Sequence, residues 1–100
     1  MERIRNGNMY RRDIEKLAVS MDDTECARLC TIACLDLSSF TDKNLLKAND
    51  LTANKLLASK IADMLIMIDV LKYRQVITDN ILDDYIRDNL FRKVRLIKKV

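Results

Sequence analysis

The chain has 100 residues, a net charge of +3, one glycine (Gly7), no proline and no histidine. That length suits one domain with a single, shallow core. Strands and hairpins lean on Gly and Pro punctuation, which is almost absent, so the class is all-α; the lack of histidine excludes His-based catalysis and most catalytic zinc sites.

Residues 1–8 read as a polar arm ending at Asn8, an N-cap for the first helix. Tyr10, Ile14, Leu17, Ala18 and Met21 then follow helical spacing as one apolar stripe. Ser20 to Asp23 break it, and Asp22 or Asp23 caps a second helix with Glu25 in its first turn. This helix is expected to run to about Ser38, with Cys26, Leu29, Cys30, Ala33, Cys34 and Leu37 inward. The N-terminus shows no apolar stretch of signal-peptide length, so a cytoplasmic location with reduced thiols is expected. The cysteines, one helical turn apart, read as core packing.

Residues 38–44 read as a polar connection, and 45–50 as a short helical piece or loop. The third helix should start near Asp50 or Thr52 and end near Gln75. It contains the run Met64 to Ile68, five consecutive apolar residues. A helix apolar on every face is a buried one. The run falls far short of the roughly 20 residues needed to span a bilayer, so no membrane is expected. The chain is expected to cover one side of this helix and a second copy another, as a symmetric homodimer or a higher homo-oligomer. Lys72, Tyr73 and Arg74 read as its solvated end, with Tyr73 half-buried.

Thr78-Asp79-Asn80 caps the last helix, whose expected buried face is Ile81, Tyr85, Ile86, Leu90, Val94 and Ile97. Its acids come early and its bases late, as the helix dipole prefers. Basic residues concentrate at both ends of the chain, so that the middle is acidic. Basic ends suit anions, yet no aromatic platform accompanies them, and nucleic acid is not expected as a partner. No internal repeat or second domain is visible. The expected fold is a compact bundle of about four helices, one domain over 1–100, self-associating through the central helix.

Two short segments carry a resemblance. Glu25-Cys-Ala-Arg-Leu on helix two and Lys60-Ile-Ala-Asp-Met-Leu-Ile-Met-Ile-Asp on helix three resemble the MazG-like all-α nucleoside triphosphate pyrophosphohydrolases. The resemblance extends loosely to the basic last helix, Asn89-Leu-Phe-Arg-Lys, and covers about residues 21–100. In that family a Glu-x-x-Glu pair faces a Glu-x-x-Asp pair, and four carboxylates gather Mg²⁺ around a triphosphate. Here Glu25 and Asp63 match family ligands and would be the metal residues if the site is partly kept. Arg28 and Lys60 stand where the other two carboxylates belong. Exchanging two carboxylates for two cations removes the concentrated negative charge that Mg²⁺ requires.

What the resemblance then implies is a catalytically degenerate module, with no catalytic residue and no cofactor, that binds or sequesters a nucleotide or related phosphorylated ligand. Arg28 and Lys60 would meet its phosphates, with Arg92 and Lys93 as further phosphate contacts. Small viral or mobile-element accessory proteins offer an analogy. Two alternatives stay open. One is an active Mg²⁺-dependent pyrophosphohydrolase using Glu25, Asp63 and further acids such as Asp22 or Asp36. The other is a structural helical module that binds or inhibits a protein partner. Glu25 with Arg28, and Lys60 with Asp63, are also the opposite-charge i, i+3 pairs that any solvated helix can carry.

Overall fold

A computed structural model describes residues 7–44 and 50–99. Four helices follow one another: α1 (Gly7–Val19), α2 (Asp23–Asn44), α3 (Leu51–Tyr73) and α4 (Asp79–Lys99). The fold is an all-α bundle, with no strand among the described residues. Residues 1–6 of the expected polar arm, and 45–49 of the expected short piece, lie outside the described residues; Gly7 and Asn8, expected to end the arm with Asn8 as N-cap, belong instead to α1.

Each of the later helices starts at a side-chain cap. The Glu25 amide donates to Asp22 Oδ1 at 2.8 Å, the Ala53 amide to Asp50 Oδ1 at 3.0 Å, and the Ile81 amide to Thr78 Oγ1 at 3.3 Å. These oxygens satisfy N–H groups that have no carbonyl partner in the first turn. The end of α3 is closed by backbone alone. Gln75 adopts φ 62°, and the amides of Gln75 and Val76 reach back to the carbonyls of Lys72 and Leu71, both at 3.0 Å. This is a Schellman closure with glutamine in the left-handed position usually held by glycine.

The second helix is longer than its sequence suggests. It continues through the expected polar connection to Asn44. Nothing in residues 38–44 is a Gly or Pro breaker, and Thr41 turns its hydroxyl back onto the Leu37 carbonyl at 2.8 Å. A polar stretch without a breaker simply stays helical when Leu37 and Phe40 are half-buried along it.

Helix α3 is the centre of the fold and packs against both α1 and α2. Ala18, Met21, Cys26, Ala33, Met67 and Val70 form the buried core, with Val70 fully enclosed. Ile14, Leu17, Leu29, Cys30, Met64 and Leu71 pack around it. Asp23 meets Arg74 and Cys34 meets Met64, so α2 and α3 run antiparallel.

Two expectations about the ends of α3 and α4 are corrected. The cationic end of α3 is not freely solvated. Arg74 keeps 19% of its side chain exposed and donates to the carbonyls of Ala18 and Met21 at 3.0 and 2.9 Å, and also to Asp23. Lys72 bridges Asp79 at 2.8 Å and Asp69 at 3.4 Å, and ties the start of α4 to α3. Tyr73, expected half-buried, is exposed. Nor does α4 bury the face foreseen for it. Ile81, Tyr85, Ile86, Leu90, Val94 and Ile97 are all exposed, and among residues 79–97 only Leu82 is half-buried. The buried core is drawn from α1, α2, α3 and the α1–α2 turn, and α4 packs little of its apolar face against them.

Candidate functional site

The α2–α3 seam carries the residues singled out in the sequence, and the antiparallel register decides which of them meet. Arg28 grips Glu25 through both carboxylate oxygens, Nε to Oε2 at 3.0 Å and Nη2 to Oε1. This fork holds the Glu25 carboxyl below its ordinary range and raises the guanidinium further above its own. Both side chains are about half exposed. The Glu25 backbone is at the same time the amide that Asp22 caps. The pair therefore does local work at the start of α2.

Lys60 and Asp63 lie one turn apart on α3, Lys60 half-buried and Asp63 exposed. Among the described residues neither takes part in an ion pair or a side-chain hydrogen bond. Asp63 borders a cleft of about 180 Å³ floored by Leu29, Ile32 and Ala33 of α2 and by Ile66 and Met67 of α3. The second carboxylate on this cleft is Asp36.

Antiparallel packing places Asp36 level with Asp63, and Glu25 near the opposite end of α3. Eleven residues separate Glu25 from Asp36 along α2, about 16 Å at the helical rise. The structure thus brings Glu25 to Arg28, and Asp63 to Asp36, but does not gather Glu25, Arg28, Lys60 and Asp63 on one cleft. Among the described residues no group of three or more His, Cys, Asp or Glu side chains is placed to hold a metal ion. Asp36 was visible in the sequence only as an acid without a place. Its partner becomes evident once the α2–α3 pairing is known.

The remaining phosphate candidates, Arg92 and Lys93, are exposed on α4. Arg92 donates to Asn89 and lines a separate hollow with Tyr85, Asp88 and Phe91. Arg95 sits over the Phe91 ring, 5.7 Å from its centroid.

A different kind of cleft opens between α1 and α3. Tyr10, Asp13, Ile14 and Leu17 face Ala62, Leu65 and Ile66 across about 380 Å³. Its walls are almost wholly apolar, with Asp13 the only carboxylate among the described residues that line it. Such a surface takes aliphatic or aromatic groups and offers little to an anion.

The three cysteines grade outward along α2: Cys26 is buried, Cys30 half-buried and Cys34 exposed, with its sulfur 3.6 Å from Met64 Sδ. Burial, then the neighbouring Cys26, raises the Cys30 thiol above its ordinary value. No helix is long and apolar enough to cross a membrane among the described residues. No family model, curated protein or solved structure matches the chain.

Proposed function

We propose that the chain is a MazG-like helical module that has lost its metal chemistry and binds a nucleotide or related phosphorylated ligand at the α2–α3 cleft. The observation that carries this reading is that Asp63 borders the cleft together with Asp36, while Lys60, one turn before Asp63 on α3, takes part in no ion pair among the described residues. An unpaired lysine is a point charge for a phosphate. The apolar floor between Asp36 and Asp63 suits a flat ring, whose amino groups the two carboxylates would accept. The cleft is smaller than the roughly 300–1,000 Å³ typical of pockets that enclose a whole ligand, so one ring enters and the phosphates stay outside, against Lys60. Arg28 joins only if a ligand phosphate displaces Glu25.

The test is calorimetric titration of the full chain with a panel of nucleoside mono-, di- and triphosphates in EDTA. Heat that persists without Mg²⁺ and disappears in Lys60→Ala and Asp63→Asn supports the reading. Heat that requires Mg²⁺, with release of pyrophosphate, replaces it with the hydrolase alternative. Absence of binding across the panel leaves the protein-binding module, a second reading favoured by the amount of apolar surface left open on α4.

A further inference from the structure

Helix α4 is amphipathic, and among residues 79–97 only Leu82 is half-buried. Ile86, Leu90, Val94 and Ile97 follow at spacings of four, four and three residues, which places them on one face. They are 40%, 56%, 47% and 74% exposed. An apolar strip of this kind on a water-facing helix marks a contact surface. The charges say what makes the contact. Asp79, Asp83, Asp84 and Asp88 occupy the first half of α4; Arg92, Lys93 and Arg95 occupy the second, followed in sequence by Lys98 and Lys99. Only Arg87 breaks the segregation.

We infer that a second copy of the chain covers this face, the two α4 helices lying antiparallel about a two-fold axis beside Asn89 and Leu90. A helix acidic at one end and basic at the other is complementary to itself only when reversed. A parallel pairing would set four aspartates against four aspartates. In the reversed pairing Ile86 faces the partner's Val94, Leu82 lies near the partner's Ile97, and Leu90 packs at the axis. Asp83 and Lys93 both border the apolar strip, and each comes within a turn of the other on the partner. The contact is isologous, so each such pair occurs twice. The basic end of α4 is then a means of orienting a subunit, and its apolar face is buried by the partner. This seat differs from the central-helix interface expected from sequence, because α3 is already covered on two sides by α1 and α2.

Sedimentation equilibrium of the full chain, from micromolar to several hundred micromolar, tests the inference. Wild type is expected to be a dimer. Ile86→Asp combined with Leu90→Asp is expected to give a monomer with unchanged helical circular dichroism, since both side chains are exposed within the chain. Asp83→Lys alone and Lys93→Asp alone place like charges against each other twice, and each is expected to weaken the dimer about tenfold. Mixed in equal amounts, the two variants restore opposite-charge pairs at both positions, and tight association should return. A wild type that stays monomeric overturns the inference. So does a dimer indifferent to the aspartate pair, which would seat the contact on α3 or the α1–α3 cleft. A mixture no tighter than either variant alone overturns the antiparallel arrangement.

Discussion

Arg74 at the end of α3 reaches Asp23 at the start of α2, and on the way it donates to the carbonyls of Ala18 in the last turn of α1 and of Met21 in the connection to α2. One guanidinium thereby fixes three helices to one another. The two halves of this clamp differ in weight. Asp23 is 99% exposed, whereas Arg74 is 19% exposed. A pair with one partner fully in water contributes little, while bonds from a charged donor to partly buried carbonyls are worth about 1.5–3 kcal/mol. Asp23→Ala should hardly move the urea midpoint. Arg74→Ala should cost about 2–3 kcal/mol, and Arg74→Lys should recover only part of it, because an ammonium lacks the planar fork. Equal losses for Asp23→Ala and Arg74→Ala would show that the ion pair, and not the carbonyl bonds, carries the clamp.

Gln75 holds φ 62° in the closure of α3. The left-handed conformation costs a residue with a Cβ about 1–2 kcal/mol, and glycine gives back part of that gain through its freer unfolded chain. The balance leaves Gln75→Gly stabilising by about 0.5–1 kcal/mol. Gln75→Ala should bring no gain, since it keeps the Cβ. Urea unfolding of the two variants side by side separates backbone relief from loss of the glutamine side chain.

Local chemistry was the readable part of this chain. Asp22, Asp50 and Thr78 cap helices because capping needs only a side-chain oxygen and an amide three residues on. The buried Met67 and Val70 follow from the density of apolar residues in α3. Features that depend on which helix lies beside which were not readable. Periodicity marks an apolar face on α4 but not whether a neighbour is available to cover it. Arg74 looks like a solvated helix end until the α1–α2 turn arrives beneath it. The same limit applies to the candidate site. The i, i+3 spacings of Glu25 with Arg28 and of Lys60 with Asp63 were legible, but the register that sets Asp36, not Glu25, level with Asp63 is a property of the α2–α3 packing.

The cysteine gradient along α2 can be read by thiol chemistry. Cys34 is exposed, and Cys30 is partly screened with its thiol raised above the ordinary 9.0 by burial. Thiolate is the reacting form, so Cys34 has the advantage of access and the raised Cys30 thiol is held back. At pH 8 an aromatic disulfide reagent should modify Cys34 first and Cys30 more slowly. Cys26, buried beside the α1–α2 turn, should react only at the rate of unfolding. Arg74→Ala should accelerate Cys26 without changing Cys34, since the clamp holds that turn closed. Cys34→Ser should remove the fast phase and leave the other two.

Glu25 and Arg28 offer a pH-dependent check on whether this pair is available to a ligand. The guanidinium bond holds the Glu25 carboxyl below its ordinary value of 4.5. A carboxyl lowered in the folded state contributes stability above its unfolded value and loses it as pH falls through the lowered one. Side-chain carbon NMR of Glu25 should therefore titrate below 4.5, and Arg28→Ala should return the midpoint toward it. At neutral pH the fork is closed, so a phosphate reaches Arg28 only by displacing a carboxylate. Glu25→Gln weakens that competition. If Lys60 alone anchors the ligand, Glu25→Gln leaves phosphate affinity unchanged; if Arg28 is recruited, the same variant tightens it. An affinity that falls in Glu25→Gln would mean that the carboxylate itself contacts the ligand, returning Glu25 to the role of a metal or amine ligand.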